Sequence, residues 1–268
     1  MTDEGDWACP ACTFLNVWQE DQTDCAVCGT ERPQVPAFDT MADGTAIAAT
    51  VAAASAALRC NVTSLAIVAW DDADGSDTEA LLKVIAEEGD TLERLSLRKV
   101  GLSNTAAKQL AGLIADGHLR RLACLDVSRN SIRNTGCAAL CDALASRAMR
   151  TLNLGNNRWN DGGPVSGLIA ASSTLSSLTL DHSRIGDEGC YFIASAMSYA
   201  EGHRSQAAPL SHLSVVDCGI GDKGARALAS VVKSTRRRRT PLTQLDFSDN
   251  DGVSEEAAEC VRAALTDV

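Results

Sequence analysis

Seven leucines recur along this chain at Leu65, Leu95, Leu125, Leu152, Leu178, Leu213 and Leu245, with spacings of 30, 30, 27, 26, 35 and 32 residues. Self-similarity at such a period marks stacked structural repeats, each burying its apolar side against its neighbours. The stretch 122–140, LACLDVSRNSIRNTGCAAL, shows one copy in full. Leu122, Leu125 and Val127 carry the alternation of a short strand with one buried face; Asn130 stands where the chain must bend, and Ile132 plugs the bend. Cys137, Leu140, Cys141 and Leu144 then recur three or four apart, the stripe of a helix for which Asn134 or Thr135 is the expected N-cap. Five residues after each recurring leucine stand Trp70, Val100, Asn130, Asn157, Ser183, Cys218 and Asn250, so the later units keep a small polar or thiol side chain there.

This pattern resembles the leucine-rich repeat of the long, ribonuclease-inhibitor-like kind, over about three quarters of the chain. The resemblance implies an α/β solenoid of about seven strand-helix repeats with a curved parallel sheet, spanning 60–268. The helix entries IGDEGCYFI and IGDKGARAL fit it, with Asp187 and Asp222 as expected N-caps. In that family the strands line a concave face, so residues flanking the leucines are the ones offered to partners. Arg94, Arg98, Lys99 and Arg129 fall in units two and three, whereas Asp181, Asp217 and Asp246 fall toward the other end. Such asymmetry suits a protein of opposite polarity, and it is equally the pattern of a solvated surface. His182 and His212 are candidates to meet on adjacent strands.

Residues 1–36 read differently. Cys9 and Cys12, then Cys25 and Cys28, form two Cys-x-x-Cys knuckles twelve residues apart. Four thiolates at this spacing make a closed tetrahedral site in which one Zn2+ is structural. A segment this small cannot fold on apolar burial, because ordering each residue costs ~1–2 kcal/mol of backbone entropy. Zinc binding to such peptides supplies about 10–16 kcal/mol. Trp7 two residues before the first cysteine, Asn16 four after the second and Gly29 directly after the fourth resemble the Ran-binding-protein type, or NZF, zinc finger. In that family the tryptophan packs under the zinc site and the asparagine braces the loops. One branch binds ubiquitin through a Thr-Phe pair and an apolar residue before the fourth cysteine, which here are Thr13, Phe14 and Val27. The branch that binds single-stranded RNA uses arginines, and the finger's only basic residue is Arg32.

Charge supports the same division. The net charge is −11, of which 1–36 carries −6, 37–59 carries −1 and the repeats −4. Acidity of this kind disfavours nucleic acid, whose binding is driven by Lys and Arg neutralising phosphates. Residues 37–59 read as a linker and capping helix: Pro33 and Pro36 precede it, and Ile47, Val51, Ala54 and Leu58 share one face of a helix over 45–59. The first residues lack a signal-peptide pattern, and the longest mainly apolar stretch, thirteen residues over 46–58, falls short of a membrane span. The expectation is a monomeric cytoplasmic protein, or a nuclear one should Arg236–Arg239 act as an import signal rather than a solvated loop. The terminal triplet Thr266, Asp267 and Val268 resembles a PDZ-domain ligand. No catalytic constellation is expected. The sequence points to a non-enzymatic intracellular adaptor whose finger binds ubiquitin or a ubiquitinated protein and whose repeats bind a second protein. The alternatives are a regulator of a small GTPase, by analogy with repeats found in activators of Ran, and RNA binding through the finger.

Overall fold

The computed structural model describes residues 7–8, 15–16, 39–40, 45–67, 76–203, 210–235 and 242–266. The chain divides into two compact units, Met1–Ala37 and Phe38–Val268. In the first, β1 (Trp7–Ala8) and β2 (Leu15–Asn16) pair antiparallel, with Trp7 opposite Asn16. The expected zinc ligands Cys9, Cys12, Cys25 and Cys28 lie outside the described residues, as do Thr13, Phe14, Val27, Arg236–Arg239, Asp267 and Val268.

The second unit begins with β3 (Asp39–Thr40), antiparallel to β4 (Ala46–Ala48). There follow α1 (Val51–Arg59), β5 (Ser64–Ile67), α2 (Ser76–Glu88), β6 (Arg94–Ser96), α3 (Asn104–Ala115), β7 (Cys124–Asp126) and α4 (Asn134–Leu144). The chain continues through β8 (Thr151–Asn153), α5 (Gly163–Ala171), β9 (Ser177–Thr179), α6 (Gly186–His203), β10 (His212–Ser214), α7 (Asp222–Thr235), β11 (Gln244–Asp246) and α8 (Glu255–Thr266). The strands lie side by side in chain order, and β4 to β11 are all parallel. Leu65, Leu95, Leu125, Leu152, Leu178, Leu213 and Leu245 stand abreast in that register, each at most 9% exposed. One continuous apolar core runs between sheet and helices, from Ala46 to Ala264.

The amino-terminal end departs from expectation. A helix over 45–59 is broken at Thr50, whose backbone is extended (φ −142°, ψ 160°) and whose hydroxyl accepts from the Ala53 amide at 3.1 Å. The N-cap splits the stretch into β4 and α1, and Ala46 takes the place of the leucine opposite Leu65. The parallel sheet therefore has eight strands where the leucines predict about seven, and the solenoid starts before residue 60.

Two ladders of polar side chains tie successive units together. The first is the turn ladder. The residue ahead of each ladder position is left-handed at Lys99, Arg129, Asn156, His182, Asp217 and Asp249, with φ between 48° and 57°. That kink aims the next side chain into the core. Asn130 Oδ1 accepts from the amides of Val100 (3.1 Å) and Leu102 (2.9 Å), and its Nδ2 donates to the carbonyls of Leu97, Val127 and Ser128. Asn250 does the same for Cys218, Ile220, Val215, Phe247 and Ser248, and Asn157 reaches Ile132, Val127, Leu154 and Gly155. At the same position Cys218 donates its thiol to the Leu180 carbonyl at 3.3 Å, whereas the Ser183 hydroxyl is buried without a partner.

The second ladder corrects the expected helix caps. Asn134, Asp187 and Asp222 are each inside or at the first residue of their own helix, and α4 takes no side-chain cap from its own N-cap residue, Arg133. Asp187 and Asp222, like Asn104 ahead of them, reach across to the helix start of the neighbouring unit instead, whereas Asn134 bonds Asn160 ahead of α5. Asn104 Oδ1 accepts from the amides of Arg133 (3.2 Å) and Gly136 (2.8 Å) at the start of α4. Asp187 Oδ1 accepts from Gly221 (2.7 Å) and Gly224 (2.8 Å) at the start of α7, and Asp222 Oδ1 accepts from the Ser254 amide (2.7 Å) before α8. Anionic and amide oxygens at a helix N-terminus meet unsatisfied N–H groups and the positive end of the dipole, whichever unit they come from. This explains the small residue two places on: a Cβ on Gly136 would stand 2.7 Å from Asn104 Oδ1, and one on Gly224 the same distance from Asp187 Oδ1.

The Asp222 link makes stability pH-dependent. Hydrogen bonds from the Ser254 amide and hydroxyl hold its carboxyl below the usual 3.8. A carboxyl depressed on folding contributes stability above its unfolded value and loses it as pH falls through its folded value. Asp222→Ala is therefore expected to lower the melting temperature at neutral pH, with the difference from wild type closing once the pH drops well below 3.8. Thermal unfolding followed by circular dichroism across that range checks it; a difference that stays constant with pH overturns it.

Candidate functional site

The exposed face of the parallel sheet is built by the residues either side of the leucines. On one side Ser64, Arg94, Cys124, Thr151, Ser177, His212 and Gln244 stand abreast. On the other stand Ala66, Ser96, Asp126, Asn153, Thr179, Ser214 and Asp246. Most are small, which leaves a shallow trough of about 370 Å³ over β5 to β9, with Leu65, Leu95 and Leu125 in its floor. A sheet row of small polar groups offers hydrogen-bond partners without filling its own curvature, so a protruding surface can enter it.

The charged residues singled out from sequence divide into three places. Arg94 and Asp246 are on the sheet face, but they are five strands apart, roughly 24 Å at the usual strand spacing. Arg98 and Asp181 follow their strands; Asp181 Oδ1 accepts from Ser214 Oγ (2.5 Å) and the Val216 amide (3.0 Å), so it also joins two units. Lys99, Arg129 and Asp217 are off the sheet, at the left-handed turn positions along its edge. There the Asp217 carboxylate meets His182 Nδ1 at 2.8 Å, while His212 Nδ1 lies 2.7 Å from Ser211 Oγ; the two histidines therefore have separate partners. The basic and acidic groups do not gather into one cluster.

Four thiols of the repeats, Cys137, Cys141, Cys190 and Cys218, are buried. Burial pushes Cys190 and Cys218 up to about 12, and Cys141 is raised by the hydrogen bond with Cys137 and by burial. Thiols so disposed are protonated at neutral pH and act as small apolar groups. Among the described residues, no three or more His, Cys, Asp or Glu side chains are placed to hold a metal ion. No helix among them is long and apolar enough to cross a membrane.

Sequence reasoning passed over two features of this edge. Trp159, at the bend-plugging position of unit four, is 1% exposed and donates Nε1–H to the Leu154 carbonyl at 3.2 Å. Close by, Arg133, Arg158 and Arg184 line an open cleft at the strand-to-helix turns. The signal for the second was present in the alignment of units, since all three follow the ladder residue by one to three places.

Comparison with known proteins agrees with the repeat. The family model described as "Leucine Rich repeat" matches three stretches, 118–141, 171–194 and 207–229. The ribonuclease inhibitor of Sus scrofa is 29% identical over 137 residues, covering 48% of this chain and 29% of the inhibitor, so the chain spans under a third of that relative's length. Among solved structures, the actin-binding site 2 of leiomodin-1 aligns with a TM-score of 0.41 at 12% identity, over 73% of this chain and 90% of that one. An internalin from Listeria monocytogenes aligns at 0.37 and 19%, over 69% and 46%. A leucine-rich repeat-containing protein from Legionella pneumophila aligns at 0.37 and 16%, over 81% and 76%. Eight parallel strands in leucine register, the asparagine-stapled turns and the three matched stretches identify the carboxy-terminal unit as a leucine-rich repeat solenoid with a ribonuclease-inhibitor-like homologue.

Proposed function

We propose that the chain is a non-enzymatic adaptor: its repeats bind a partner protein on the open sheet face, and its amino-terminal finger binds ubiquitin or a ubiquitinated protein. The observation that carries the first half is the row of small, hydrogen-bonding side chains across the sheet, left uncovered over several strands. Repeat solenoids use such surfaces for protein recognition, with specificity summed over many units rather than concentrated in one aromatic anchor.

The second half rests on the finger's residues. Cys9, Cys12, Cys25 and Cys28 have the donor chemistry and spacing of a structural zinc site, and the pairing of Trp7 with Asn16 brings together the strands on either side of the first knuckle. Bound zinc would hold the loops of the finger in place. Thr13, Phe14 and Val27 would then form a small apolar contact, rimmed by Glu20, Asp21 and Asp24, for a partner with an apolar patch and a basic border.

The test is to add zinc-loaded full-length protein to isotope-labelled ubiquitin and follow amide shifts. The expected result is a localised set of shifts that disappears in Thr13→Ala/Phe14→Ala. An absence of shifts, or shifts unaffected by the double substitution, overturns the ubiquitin reading.

A further inference from the structure

The cleft at the strand-to-helix turns of units three to five has a volume of about 850 Å³. Its lining holds Arg133, Arg158 and Arg184 and no carboxylate, while His182, also in the lining, has its Nδ1 2.8 Å from the Asp217 carboxylate just outside it. The three guanidinium groups come from three successive units, and all three arginines are exposed. Among the described residues none forms an ion pair, whereas Arg59, Arg226 and Arg262 on the helices each pair with a glutamate. Between Arg133 and Arg158 the floor is fixed: Asn134 Nδ2 donates to Asn160 Oδ1 and Asn134 Oδ1 accepts from the Asn160 amide, both at 2.9 Å. Lys99 and Arg129 extend the same edge toward the amino-terminal units at their turn positions. In a chain of net charge −11, this is a local concentration of unpaired positive charge on a rigid support.

We infer that this cleft binds an acidic segment of a partner protein, with Arg133, Arg158 and Arg184 each taking a carboxylate. Guanidinium groups favour carboxylates through paired N–H donors, and their planar fork loses less entropy per hydrogen bond than a lysine ammonium would. Length argues against a polynucleotide. Beyond unit five the same edge turns acidic, with Asp217, Asp249 and Asp251, so a long polyanion would run from attraction into repulsion. The site uses none of the finger residues or the sheet rows, and its failure leaves the adaptor proposal standing.

The test uses the full chain and a labelled alanine-based peptide with glutamates four residues apart, followed by fluorescence anisotropy at low salt. Wild type is expected to bind it more tightly than a peptide of the same length with glutamines in place of the glutamates. The triple variant Arg133→Gln/Arg158→Gln/Arg184→Gln should weaken binding by about threefold to a hundredfold, the range for losing three exposed charge pairs. A control, Arg59→Gln/Arg226→Gln/Arg262→Gln, removes the same charge elsewhere and should stay near wild type; circular dichroism confirms that both variants are folded. Equal loss in the control, equal binding of both peptides, no peptide binding at low salt, tighter binding of an oligothymidylate, or binding of inorganic phosphate alone overturns the inference.

Discussion

Replacing Asn130 with alanine is expected to destabilise the solenoid by about 3 kcal/mol or more, an effect out of proportion to the few atoms removed. The side chain makes five hydrogen bonds to backbone groups of units two and three, and it is 9% exposed. Its removal leaves the amides of Val100 and Leu102 without that acceptor beneath a sheet that admits little water, and each orphaned buried group costs roughly 1–3 kcal/mol. Asn130→Asp, nearly identical in shape, is expected to be worse still. A carboxylate cannot donate, and it would face the carbonyls of Leu97, Val127 and Ser128. Ser96→Ala, on the sheet face, should stay within about 0.5 kcal/mol of wild type. Denaturant unfolding gives the magnitudes. Hydrogen exchange gives the location: protection should collapse first at Val100 and Leu102, because a repeat array transmits damage chiefly to its neighbours. Undiminished protection at those two amides would show that the ladder does not hold the turn.

The repeat itself was legible in the sequence because its signals are local and periodic. A leucine every 26 to 35 residues fixes the register, and all seven expected positions fall abreast in the sheet. What was not legible depends on neighbours. Ala46 replaces leucine in the first parallel strand, and Ile47, Val51, Ala54 and Leu58 happen to keep helical spacing across the break; only Thr50 marked the boundary. Asn134, Asp187 and Asp222 were recognisable as caps, yet a side chain at a helix start can serve its own turn or the one stacked beside it. The choice follows from packing, and here the glycines at 136 and 224 make room for the neighbour's oxygen. The charged residues drawn from sequence as one face separate onto sheet and edge because a left-handed residue ends each strand. Lys99, Arg129 and Asp217 thereby turn away from the row that holds Arg94. Unpaired charge is likewise invisible until partners are placed, which is why Arg133, Arg158 and Arg184 became conspicuous only beside the paired arginines of the helices.

Trp159→Ala is expected to cost about 3–5 kcal/mol, the range for deleting a buried tryptophan. In units two, three, five and six the equivalent positions are Leu102, Ile132, Ile185 and Ile220, all buried aliphatic residues. Unit four differs in having a short helix: α5 runs nine residues, against twelve in α3 and eleven in α4. A shorter helix covers less of the layer between sheet and helices, and the indole fills the volume that an aliphatic side chain would leave empty. Two substitutions separate packing from hydrogen bonding. Trp159→Phe keeps most of the ring but loses the donor to the Leu154 carbonyl, which should cost about 1–2 kcal/mol. Trp159→Ile restores the side chain used by neighbouring units and should still cost about 2–4 kcal/mol, because a cavity remains under α5. Should Trp159→Ile prove as stable as wild type in denaturant unfolding, the tryptophan would be an ordinary bend plug, and the short helix of unit four would owe its stability to something else.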